Sequence, residues 1–177
     1  EGKQLPVSVE EEMFSDPVML KKFFTSLMFK SWIEEMPEQA LMKDYGIAPG
    51  SLFQKTKNLD WLVYATAELA QILDLREHLP FLNRLRKRLQ SGIREELVYL
   101  CEVRGIGRVR ARRLFANNVR TVADLKKIPL ASLARLLPPK VAEKIKEQLG
   151  VPEKLSEDQK KSLARSERAG QSQLGEF

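Results

Sequence analysis

The chain has 177 residues, 43% hydrophobic and 31% charged, a size and balance that suit one helical domain plus a smaller module and exclude disorder throughout. A single cysteine, Cys101, and a single histidine, His78, exclude a disulfide framework and a four-ligand zinc site. The net charge of +6 is uneven: residues 1–95 carry 13 Lys and Arg against 14 Asp and Glu, residues 96–150 carry 12 against 5, and residues 151–177 carry 5 against 5.

That middle excess, preceded by Arg84, Arg86, Lys87 and Arg88, is the footprint expected of a phosphate-binding surface. No apolar run approaches the ~18–20 residues of a membrane span, and the N-terminus lacks a charged-then-apolar signal pattern. An intracellular, cytoplasmic protein is therefore expected, with no membrane partner. The chain opens on Glu1 rather than methionine, which reads as a piece of a longer polypeptide.

Apolar residues recur at helical spacing and period-two alternation is nearly absent, so the fold class is all-α. The order of elements predicts a helical-bundle domain over 1–95, a helix-hairpin-helix domain over 96–150 and a flexible tail over 151–177. Ser15-Asp16-Pro17 starts a helix that carries Leu20, Phe23, Phe24, Leu27 and Met28 and breaks before Pro37. A short helix over Glu38 to Tyr45 stops at Gly46, and Ala48-Pro49-Gly50 turns into the next helix with Ser51 as its expected cap. In that helix Leu62, Ala65, Leu69, Ile72 and Leu73 form a stripe expected to face the core, with Trp61 at its margin. A basic helix over Arg76 to Ser91 holds Pro80 in its first turn and ends at Gly92, and another helix is expected to start near Ile93.

Leu97, Leu100, Val103, Gly105-Ile106-Gly107, Ala111 and Leu114 are spaced as two helices joined by a glycine hairpin. Two glycines at positive φ would leave backbone N–H groups exposed, small Ala111 would let the helices close, and the second helix would point its positive end at a phosphate. Arg104, Arg108, Arg110, Arg112 and Arg113 surround this nest, which predicts binding of the DNA backbone without base reading. Cys101 falls on the apolar side of the first helix and reads as a buried small residue. A second pair over Val122 to Leu149 echoes the motif, with Leu136-Leu137-Pro138-Pro139 in place of the glycine turn and Ala142 and Ile145 in place of Ala111 and Leu114. Proline offers no N–H, so this pair is expected to complete a small core, with Lys140 and Lys144 as peripheral phosphate contacts.

Tyr45-Gly46-Ile47-Ala48-Pro49-Gly50, Trp61-Leu62, Gly92-Ile93-Arg94-Glu95-Glu96-Leu97 and Arg104-Gly105-Ile106-Gly107-Arg108-Val109-Arg110-Ala111-Arg112 stand in order along the chain. Together they resemble the last two domains of the archaeal Ski2-like superfamily-two DNA repair helicases of the Hjm type, related to eukaryotic HELQ. The resemblance implies a ratchet domain whose long helix touches single-stranded DNA, followed by a helix-hairpin-helix domain at the strand's exit. It gives Trp61 the role of the aromatic that stacks on a base, and Arg110-Ala111-Arg112 that of the element that binds the emerging strand and restrains the motor. Where the family has a basic residue two turns before the aromatic, this chain has Gln54; Lys55 and Lys57 are close but on other sides of an ideal helix.

The resemblance further implies a 3′–5′ DNA helicase acting on stalled forks and branched DNA, with motor domains that use ATP and Mg. This chain has no G-x-x-x-x-G-K-[ST] phosphate loop, so no cofactor and no ATPase activity are expected of it alone. The last residues fit Q-x-x-L-x-x-F through Gln171, Leu174 and Phe177, which resembles the sliding-clamp (PCNA) peptide of archaeal repair proteins. An alternative is a free-standing adaptor that tethers DNA to the clamp. A nuclease would need a metal cluster, and the runs Glu10-Glu11-Glu12 and Glu34-Glu35 read as solvated charge. A monomer is expected.

Overall fold

A computed structural model describes residues 16–156 and 159. The chain divides into two compact units, one through Glu95 and the other from Glu96 onward. Among the described residues every regular element is a helix and none is a strand, as the apolar spacing predicts.

In the first unit α1 spans Pro17–Ile33, α2 Glu38–Tyr45, α3 Pro49–Ile72 and α4 Leu79–Ser91, with a 3-10 turn at Arg76–His78. The start of α1 follows its sequence: an Asp16 carboxylate oxygen accepts from the Val18 amide at 2.8 Å, and Pro17 fills a first-turn position that needs no N–H. Gly46, at φ 60°, ends α2 in the left-handed region. Ser51 is not the cap of α3. That helix begins earlier, at Pro49 behind Ala48, because proline's fixed φ already suits a first turn.

The stripe expected to face the core turns outward. Leu62, Leu69, Ile72 and Leu73 are all exposed, whereas Leu52, Val63 and Ala70 are buried and Leu59 packs beside them. At ~100° per residue the two sets lie on different faces of one helix, and both are apolar, so periodicity did not decide between them. The buried set meets Met28, Phe29 and Trp32 of α1, Leu41 of α2 and Leu89 of α4. Beside this core the apolar side chains leave a groove whose rim carries Lys21, Lys22 and Lys30.

Trp32 fixes how α1 meets the end of α4. Its indole Nε1 donates to the Leu89 carbonyl at 2.7 Å within the core. Gly92 turns at φ 62° directly against the ring, where a Cβ would lie 2.5 Å from indole carbons. Glycine is required there twice over, by the left-handed backbone and by the close approach. Across the unit, Arg86 Nε donates to Asp60 at 2.7 Å and Gln90 donates to the same oxygen at 2.7 Å, tying α4 to α3. The Arg86 hydrogen bond holds the Asp60 carboxyl below the usual carboxylate range.

In the second unit α5 spans Val98–Cys101, α6 Arg108–Ala116, α7 Val122–Lys127, α8 Leu130–Leu136 and α9 Pro139–Gln148. The helix expected near Ile93 is a 3-10 turn at Glu95–Leu97 followed by the single-turn α5, and the expected second pair holds three helices. Thr121 and Asp124 form a reciprocal capping box at α7. Leu97, Leu100, Val103, Ile106, Ala111 and Leu114 are buried together with Leu125, Leu133, Ala142 and Ile145. Cys101 is only half-buried.

Sequence reading missed Lys146, whose side chain is fully buried. Its ammonium donates to the Lys126 carbonyl and pairs with Glu153, each at 2.9 Å, while Glu153 also accepts from the Leu130 amide at 2.9 Å. This network ties the segment after α9, which buries Leu155, to α7 and α8.

Gly92→Ala is expected to cost about 3 kcal/mol in urea unfolding, from the left-handed backbone and the collision with Trp32. Glu153→Ala, which strands a buried ammonium, is expected to cost about 3 kcal/mol and clearly more than Lys146→Met, which removes the charge. The Lys146 ammonium, then the Leu130 N–H, draw the Glu153 carboxyl below its ordinary value of 4.5. Because the folded value is the lower one, the contribution is fully present above about pH 4.5 and disappears as pH falls through the folded value, which the pH dependence of unfolding would reveal in wild type and not in Glu153→Gln.

Candidate nucleic-acid interface

The candidate residues fall in both units, and each group stands by itself. On α3, Trp61 is 64% exposed. It lies about 160° round the helix from buried Val63, so the indole points away from the core. Gln54, two turns earlier, shares this outward sector, about 20° away, and its amide donates to the Asn58 oxygen at 3.1 Å. Lys57 stands between them and Phe53, with its ammonium 5.5 Å from the Phe53 ring centroid. Lys55 is not brought to this face: it lines a groove with Phe24, Tyr45 and Ser51 on the side of α1 and α2.

In the second unit the hairpin from Val103 to Gly107 is shaped by its own residues. Gly105 takes φ 92°, and the Ile106 amide donates back to the Val103 carbonyl at 3.0 Å. Only this glycine of the hairpin has positive φ; Gly107 is extended, at φ −97°, and caps α6 without a side chain. A Cβ at Gly107 would meet nothing within 4 Å, so the fold itself leaves open space there. The first-turn amides of α6 follow directly, and like those of any helix start they have no acceptors within the helix.

The arginines diverge around α6. Arg110 folds back and its guanidinium donates to the Gly105 carbonyl at 2.8 Å. Arg104, Gly105 and Arg110 line one groove of about 610 Å³ together with Lys144 and Val141 of α9, and Glu147 offsets part of that charge. Arg112 is on another side, paired with Glu96 at 2.8 Å and 5.4 Å from the Phe115 ring. Arg113 donates to the Leu136 carbonyl at 3.2 Å, and Arg108 opens α6. Arg110 and Arg112, adjacent to buried Ala111, therefore serve different surroundings, as a separation of about 200° on a helix requires.

Glu34 and Glu35 are arginine partners: Arg88 and Arg94 both pair with Glu34, and Glu35 accepts from the Arg94 amide. Gln171, Leu174 and Phe177 lie outside the described residues. Among the described residues no helix is long and apolar enough to cross a membrane.

A glycine hairpin between two packed helices, followed by a second helical set and ringed by arginines, defines a helix-hairpin-helix protein. Residues 97–150 match the family model described as a SAM-like helix-hairpin-helix tandem, and residues 3–92 match the one described as archaeal helicase, domain 4. The chain belongs to this archaeal helicase family, in the part formed by the C-terminal domains of a Ski2-like helicase. It is 36% identical over 132 residues to a protein of Methanocaldococcus jannaschii named ATP-dependent DNA helicase Hel308, covering 75% of this chain and 11% of that protein. Proteins of the same name are 32% identical in Pyrococcus abyssi, over 80% of this chain and 21% of the relative, and 41% identical in Thermoplasma volcanium, over 57% and 15%. The chain thus spans between about a tenth and a fifth of these relatives.

Arg110→Ala, which removes one hydrogen bond from the hairpin, is expected to speed hydrogen exchange at the Ile106 amide about fivefold, the equivalent of about 1 kcal/mol. Arg112→Ala, whose partner is Glu96, is expected to leave that amide unchanged.

Proposed function

We propose that this chain is the DNA-binding and regulatory part of an ATP-dependent 3′–5′ DNA helicase that acts on stalled forks and branched DNA. Trp61 carries the reading: a large, flat, exposed ring on the outward face of a 24-residue helix, in a chain of the archaeal helicase family. Every base has a π face, so stacking on Trp61 grips a single strand without regard to sequence and releases it one base at a time. Gln54 and Lys57 stand on or beside the same outward sector and serve the strand's polar backbone, whereas Lys55, on the side of α1 and α2, takes no part in this grip.

In the second unit the open Gly107 turn and the first-turn amides of α6 receive a phosphate, with Gly105 setting the turn and Arg104, Arg108 and Arg110 around it. In this reading Arg110 and Arg112, either side of Ala111, bind the emerging strand and restrain the motor, and Arg113 adds positive charge on the same helix. ATP and Mg²⁺ belong to motor domains of the parent protein, since this chain's residues include no phosphate loop to hold them. Residues Gln171, Leu174 and Phe177 serve as a peptide for the sliding clamp in this reading.

Binding of the chain to a labelled oligothymidine across a salt series tests the proposal. Trp61→Ala is expected to weaken binding about tenfold with an unchanged salt slope, since stacking releases no counterions. Arg104→Ala combined with Arg108→Ala is expected to lower the slope by about 0.7 for each phosphate that is no longer neutralised. If neither variant differs from wild type, the reading fails.

A further inference from the structure

Phe53, Lys57 and Trp61 occupy positions i, i+4 and i+8 of α3, which are neighbours in one row on a helix surface. Phe53 is as exposed as Trp61, at 64%, and takes no part in the core of its unit. Nothing in the composition or in the hairpin motif assigns it a role. Lys57 lies between the two aromatics in the row, and its ammonium is over the Phe53 ring, 5.5 Å from the centroid. Asp60, the nearest acidic group along the helix, is hydrogen-bonded by Arg86 and Gln90, and Lys57 acts on it only through space.

From this geometry we propose that Phe53 is a second base-stacking platform for single-stranded nucleic acid, and that Lys57 pairs with a phosphate between the bases held by Phe53 and Trp61. The proposal rests on the Trp61 reading above and extends it from one grip to two. At ~1.5 Å of rise per residue, the rings are about 12 Å apart along the helix, the length of three to four nucleotides at ~3.4 Å each along a strand.

A row of ring, cation and ring matches a ligand that alternates flat rings with anions. An apolar protein surface laid over the same row would strip water from the Lys57 ammonium, whose nearest carboxylate is already hydrogen-bonded to Arg86 and Gln90, which is costly. Tyr64, the other exposed aromatic nearby, is excluded from the row: the Arg86 guanidinium, fixed by Asp60, covers its ring at 4.8 Å. Lys57 is exposed and flexible, so it leaves the Phe53 ring for the phosphate as a base arrives.

The test is anisotropy binding of the whole chain to a long labelled oligothymidine, with circular dichroism to verify folding of each surface variant. Phe53→Ala and Phe53→Leu are each expected to weaken binding about tenfold, Phe53→Trp to retain it, and Lys57→Gln to lower the salt slope by about 0.7. If Trp61→Ala weakens binding while Phe53→Ala does not, the second platform is overturned and the Trp61 reading stands; Phe53 then belongs to a protein-docking face. Wild-type affinity in Phe53→Leu also overturns it, because leucine has no π face. If Trp61→Ala and Phe53→Ala both bind like wild type, both readings fail together.

Discussion

The first unit depends on how little of α3 it covers. Leu52, Val63 and Ala70 are its buried residues, Leu59 packs beside them, and Asp60 is clamped by Arg86 and Gln90 from α4. A 24-residue helix held along one stripe and fixed by one ionic network presents the rest of its circumference outward. Trp32 makes that arrangement rigid at a distance, since its hydrogen bond to Leu89 and its packing against Gly92 set where α4 ends against α1. Burying a large apolar side chain of this kind contributes roughly 1.5–3 kcal/mol, so this seat is an appreciable part of the unit's stability.

The second unit solves a different problem with short helices. Among the described residues no element in it is longer than the ten residues of α9, and isolated helices of that length are marginal in water. Stability comes from a shared core in which Ala111 and Ala142 allow close helix approach, and from Lys146 and Glu153, which fasten the segment after α9 to the rest. The cost of desolvating Lys146 is offset only because its ammonium has both a carboxylate and a backbone carbonyl as partners.

In the function proposed above, the two units would hold a nucleic acid in two different ways. Aromatic side chains on a straight helix offer a grip that is insensitive to sequence and little affected by salt. Backbone amides and guanidinium groups at the hairpin offer an electrostatic grip that falls steeply with salt. Because Arg110 is engaged with the Gly105 carbonyl and Arg112 with Glu96, the charge around α6 is directed to separate places.

Sequence alone determined the all-α class, the helix starts at Asp16-Pro17 and the stops at Gly46 and Gly92, because these depend on local backbone preferences of a few adjacent residues. It also determined the hairpin: Leu97, Leu100, Val103, Ile106, Ala111 and Leu114 are all buried as their spacing requires, joined by Val98, while Cys101 is only half-buried. The tertiary structure alone decided which face of α3 is buried, since two apolar stripes compete on it and only the placement of α1, α2 and α4 selects between them. The directions of Arg110 and Arg112 were likewise beyond the sequence, because each depends on a hydrogen-bond partner that folding supplies. So was the burial of Lys146: a lysine in a basic helix reads as solvated until Lys126, twenty residues earlier, and Glu153, from the segment after the helix, are brought to its ammonium.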